Sequence, residues 1–126
     1  MLKITLLLFL SIYAISSEYY YNNGKKVILE KVTQLRSINN DIEYYQTNDG
    51  VRLGVSRDIL VQCNFDVDCE KILSDFSFDN ITMVTNTIFK VTINENQNLF
   101  EQSNLLYENK NIKFAHPNFS RTQIKR

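Results

Sequence analysis

The 126-residue chain has no tryptophan, one proline, three glycines, two cysteines and a single histidine, His116. Each shortage removes a class of chemistry. One histidine leaves no base for a serine or cysteine nucleophile elsewhere in the chain, and three scattered glycines build neither an oxyanion hole nor a phosphate-cradling loop. Two thiols with one distant histidine do not make a zinc pattern, and there is no CxxC redox motif. Asp66 and Asp68, or Asp41 and Glu43, could be paired on paper for acid–base work, but helix capping and turn formation account for them. The residues therefore imply no enzyme, no metal and no cofactor. Charge is equally uninformative to a polyanion: 14 basic residues balance 14 acidic ones. A chain this close to neutral has no electrostatic footprint for nucleic acid or an anionic membrane.

The first 17 residues stand apart. Lys3 is their only charge, residues 4–14 are almost wholly apolar, and Ala14 and Ser16 place small residues where a signal peptidase reads. The apolar run is too short for a membrane span, which needs about 20 residues, so residues 1–17 read as a signal peptide cleaved after Ser16 or Ser17. A secreted or periplasmic protein with no further membrane segment is implied. The remaining length suits one domain with one core.

Residues 18–50 read as β-hairpins. Asn23-Gly24, between Tyr19-Tyr20-Tyr21 and Val27-Ile28-Leu29, is the pair a tight primed turn requires. Asp49-Gly50 plays the same part between residues 42–46 and 51–54. The tyrosines are assigned to cross-strand packing. Residues 37–41 resemble a linker.

From residue 51 onward the periodicities alternate. Residues 59–63 form a central strand and 66–76 a helix opened by acidic caps; residues 78 and 81–84, then 87–93, form two strands. Residues 97–107 follow as a second helix after the caps Asn94 and Asn96, and residues 112–116 as a last strand. Phe89, Val91 and Ile93 share one face of their strand, Ile88, Lys90 and Thr92 the other. The order is the split βαβ, ferredoxin-like arrangement, an α+β fold with both helices on one face of an antiparallel sheet and the other face open. Cys63 and Cys69, across the strand-to-helix turn, read as a disulfide in an exported chain. Closing so small a loop implies stabilisation at or below the low end of about 2 to 4 kcal/mol. Asn80-Ile81-Thr82 and Asn118-Phe119-Ser120 match the glycosylation acceptor pattern, which recurs by chance in an asparagine-rich chain.

Asn111-Ile112-Lys113-Phe114-Ala115-His116-Pro117-Asn118-Phe119 ends the domain. Its period-two run stops where Pro117 removes a backbone donor, and residues 118–126 carry no helical periodicity and no glycine. They read as a free, extended arm. This stretch, preceded by Leu105-Leu106-Tyr107-Glu108, resembles the end of the N-terminal propeptide of subtilisin-like serine proteases, although His116 stands where that family usually has an acid and no protease follows. The resemblance runs over about residues 51–119 and implies domains at 18–50 (hairpin extension), 51–117 (ferredoxin-like) and 118–126 (arm). It implies a protein partner, a separately encoded subtilisin-like protease that the chain inhibits, helps to fold, or both. The arm residues Phe119, Ser120, Arg121, Thr122, Gln123, Ile124, Lys125 and Arg126 would lie in the cleft as a cleavage product does, with Phe119 in a deep subsite and Thr122, Ile124 or Arg126 at the primary pocket. An inactive precursor fragment and an exported adaptor domain using the open sheet face stand as alternatives, and the uncovered sheet edge leaves oligomeric state open.

Overall fold

In the computed structural model of the chain, residues 17–32 and 42–121 are described. The signal peptide apart from Ser17, the linker-like residues 37–41 and the arm residues 122–126 lie outside them. Strand β1 (Ser17–Asn22) turns through Asn23 and Gly24 into β2 (Lys25–Lys31), and β3 (Glu43–Gln46) leads to β4 (Arg52–Val55). The first turn takes the expected form, with φ of 51° at Asn23 and 79° at Gly24. The second is longer than a two-residue turn. Thr47 closes it, donating to the Val51 carbonyl (2.9 Å) and accepting from Gly50 N–H (3.0 Å), so only Gly50 needs positive φ.

After β5 (Asp58–Cys63), Asp68 caps the short helix α1 (Cys69–Ser74) by accepting from Lys71 N–H. Strands β6 (Asn80–Met83) and β7 (Ile88–Thr92) follow. Helix α2 (Leu99–Glu108) is capped by Asn98, whose Oδ1 accepts from Glu101 N–H at 3.0 Å, and leads to β8 (Ile112–Pro117) and the two-residue β9 (Ser120–Arg121). Two antiparallel sheets result, ordered β1-β2-β3-β4-β9 and β6-β7-β5-β8.

The hairpins therefore neither extend the second sheet nor stand apart. They form a sheet of their own, and β4 belongs to it, so the change of sheet falls at Ser56 and Arg57 rather than at residue 51. Both sheets feed one core. Leu29, Tyr45, Leu53 and Val55 from the first join Ile59, Val61, Val91 and Ala115 from the second, with Leu73 and Leu106 of the helices. The reason is α2, which touches both sheets. Phe100 packs edge-on to Tyr45 at 5.0 Å, Tyr107 stacks on Tyr21 at 4.4 Å, and Asn104 Nδ2 donates to the Tyr19 carbonyl at 3.1 Å. The tyrosines thus meet the helix more than one another.

On the second sheet, the period-two reading matches burial. Ile59, Val61, Phe89, Val91, Ala115 and Pro117 are buried, and Leu60, Gln62, Ile88, Lys90, Thr92, Phe114 and His116 are half-buried on the other face. Cys63 and Cys69 are joined by a disulfide with Cα atoms 5.6 Å apart. Such bonds persist in oxidising compartments. Among the described residues no helix is long and apolar enough to cross a membrane.

Burial, and after it the charges of Glu43 and Glu101, raises the pKa of the Glu18 carboxyl above its ordinary value. The folded state thus holds that proton more tightly than the unfolded chain. Its contribution to stability is present below the ordinary carboxylate pKa and is lost as pH rises through the raised one. Glu18→Gln should accordingly show a Tm gain over wild type that grows across that window and then levels off. A gain independent of pH contradicts this.

Candidate functional site

The residues that lead to the arm are held by strand pairing. Pro117 ends β8 opposite Ile59 and is fully buried, and the next residue is not released: Asn118 N–H donates to the Asp58 carbonyl at 2.9 Å. Losing the proline donor ends the ladder without freeing the chain, because the neighbouring amide finds a partner on β5. His116 lies on the half-buried face, its ring stacked between Phe114 (5.4 Å) and Phe119 (6.3 Å), with Nδ1 2.9 Å from the Pro117 carbonyl.

Phe119 then crosses to the first sheet. Its ring centroid is 4.6 Å from that of Tyr20, and it packs, half-buried, against the core. It also forms one wall of an open groove of about 550 Å³ whose other apolar lining includes Tyr20, Val27, Ile28, Val51 and Leu53. Ser120 and Arg121 pair with Gly54 and Leu53 as β9. The expectation of a wholly free arm is corrected here: its first residues, Phe119, Ser120 and Arg121, are seated on the protein's own sheet. Thr122, Gln123, Ile124, Lys125 and Arg126 lie outside the described residues.

Gly54 makes that seat. A Cβ there would lie 2.7 Å from Ser120 Oγ, 3.1 Å from Ile42 Cγ2 and 3.2 Å from Tyr44 Cε1. The glycine is needed for close approach and not for its φ, which is not positive. Sequence reasoning treated Gly54 as the end of a strand and Tyr20 as part of a hairpin, and missed both as the seat of the arm. An isolated glycine inside a strand pattern was the available signal.

The open face of the second sheet carries a row of apolar and polar side chains. Leu60 lies between Lys90 and His116 on the neighbouring strands, and Gln62 between Ile88 and Phe114, with Gln62 Nε2 donating to Thr87 Oγ1 at 2.9 Å. At the far end, about 20 Å along β5 from the start of the arm, the disulfide loop presents Phe65 fully exposed. Its neighbours are fixed: Asn64 N–H donates to the Asn111 carbonyl (2.8 Å), Asn64 Nδ2 to the Lys110 carbonyl (2.9 Å) and Val67 N–H to the Asn64 carbonyl (3.3 Å). Phe65 escaped notice in the sequence because the cysteines claimed the loop.

Among the described residues no three His, Cys, Asp or Glu side chains gather as ligands for a metal ion. The pKa of the Tyr45 phenol is raised chiefly by burial and then by Glu43, which accepts its hydroxyl at 3.1 Å. It stays protonated and packs on Phe100. No family model, curated protein or solved structure matches this chain.

Seated against Tyr20 and the core, Phe119 contributes to folding stability. Phe119→Ala should cost about 1 to 2 kcal/mol in a urea titration, below the roughly 3 to 5 of a fully buried phenylalanine. An unchanged midpoint would place the ring in solvent.

Proposed function

We propose that the chain is an exported, propeptide-like inhibitor of a separately encoded subtilisin-like serine protease, acting also as its folding helper. The observation that carries this reading is the way the chain leaves its second sheet. Strands β6-β7-β5-β8 are all antiparallel, which supports the split βαβ, ferredoxin-like reading, and the chain departs from the end of edge strand β8 at Pro117. That geometry delivers the arm at one corner of the sheet, beside a face of mixed character formed by Leu60, Ile88, Lys90, Phe114 and His116. A fold of this kind fixes no function by itself, so the arm and the open face carry the weight.

In the proposed complex the open face rests on the body of the protease and the arm enters the cleft. An extended segment there adds itself as a strand, its backbone making the hydrogen bonds and its alternate side chains filling subsites. Phe119 is the large apolar residue for a deep subsite; Thr122, Ile124 or Arg126 occupies the primary pocket. The domain behind the arm lowers the entropic cost of placing it, which is what distinguishes an inhibitor from a substrate of the same sequence. The same contacts template the protease surface that they cover, and this is the basis of the folding role.

A second reading, an exported adaptor domain, draws on one observation: Phe65 is a fully exposed aromatic on a pinned loop at the end of the sheet away from the arm. Removal of the arm separates the two. Purified residues 18–126, with the disulfide formed, should inhibit a subtilisin-like protease exported by the same organism, and deletion of residues 118–126 should weaken inhibition on the order of a hundredfold. Folded protein that inhibits none of those proteases contradicts the proposal, and partner binding that survives the deletion favours the adaptor.

A further inference from the structure

We propose that the outer edge of β4, with Gly54 and Tyr20, is an internal docking site for the arm, and that it competes with the protease cleft for Phe119, Ser120 and Arg121. The inference rests on the reading of the arm as a cleft-binding segment and adds a regulatory step to it.

Three features build the docking site. Gly54 leaves room that a Cβ would take from Ser120 Oγ, at 2.7 Å, and from Ile42 and Tyr44 beside it, so the Ser120 side chain packs down on β4 over a residue that has none. The register Gly54 to Ser120 and Leu53 to Arg121 fixes the arm antiparallel to β4. Tyr20 meets Phe119 as a tilted ring pair at 4.6 Å, and the His116 ring lies parallel to Phe119 at 6.3 Å. The occupant is thus a defined segment of this chain.

Docking and inhibition exclude each other. The Phe119 ring cannot sit on Tyr20 and in a protease subsite at once, and backbone groups engaged with β4 are unavailable to the cleft edge. A two-residue ladder is also short enough to open and close, and the groove beside Phe119 is not enclosed, so the ring has an open side to leave by. The released fraction then scales the rate and the apparent affinity of protease binding. A stowed arm is also a poor substrate, since its backbone is not free to enter another protease.

Two variants test this independently. Gly54→Val sets a branched side chain against Ser120, Ile42 and Tyr44, more than a turn of the Ser120 hydroxyl relieves, and Tyr20→Leu removes the ring beneath Phe119 while leaving Gly54 untouched. Amide hydrogen exchange reports docking at Ser120, Arg121 and the facing edge of β4; stopped-flow association with the protease reports competition. The expected result is protection of β9 in wild type, loss of it in both variants, and association about tenfold faster in both, with residues 58–117 still protected as in wild type. An unprotected β9 in wild type overturns the docking site. Variants with a released β9 but an unchanged association rate overturn the competition, since the arm then enters the cleft from residue 122 with β9 in place. Wild type that inhibits no protease removes the underlying reading and the competition with it, and a protected β9 in the same protein tells that failure from a failure of docking.

Discussion

The contact on which the rest depends is α2 lying against both sheets. Phe100 on Tyr45, Tyr107 on Tyr21 and the Asn104 amide on the Tyr19 carbonyl fix the first sheet to the same helix that covers β8. Without that seam the first sheet would have no layer against the face that carries Leu29, Tyr45 and Leu53, and an apolar sheet face has to be buried against another element. With it, Leu29, Tyr45, Leu53 and Val55 enter the core of the second sheet, and β4 is brought beside the end of β8. The arm has a seat because α2 holds the two sheets together.

The seat changes what the arm can do. A free extended segment meets every protease on equal terms, while one that is paired with β4 must first be released. Proteins often blunt an edge strand by covering it with a short segment, and here the covering segment is the one proposed to bind the partner. Release uncovers the edge of β4 and presents Phe119. The stability of two docked residue pairs and one ring contact is small beside the whole fold, which is the range in which a partner can shift the balance by binding.

Local signals were legible where the physics is local. The alternation of Phe89, Val91 and Ile93 against Ile88, Lys90 and Thr92 assigned the two faces, Asn23-Gly24 marked its turn, and Cys63 and Cys69 marked their bond. The second helix lies within two residues of its expected ends. The first was expected over 66–76 and spans Cys69–Ser74, because Asp68, not Asp66, has the extended backbone of a cap. What failed was the choice of partner across long separations. Nothing near residues 19–54 says that their strands form a sheet of their own rather than extend that of β5 to β8, and Gly54 gains its meaning only from Ser120, 66 residues later. Pro117 was read as a stop from its missing donor, whereas the next amide bonds to Asp58 across the sheet.

The central claim is that this arm moves from its own sheet into a protease cleft. A crystal structure of residues 18–126 bound to a subtilisin-like protease decides it. The account predicts the arm extended in the cleft, Phe119 in a subsite away from Tyr20, the edge of β4 bare, and the Leu60, Lys90 and His116 face against the protease. An arm still paired with Gly54, or a complex formed through the Phe65 end with the cleft empty, would contradict it.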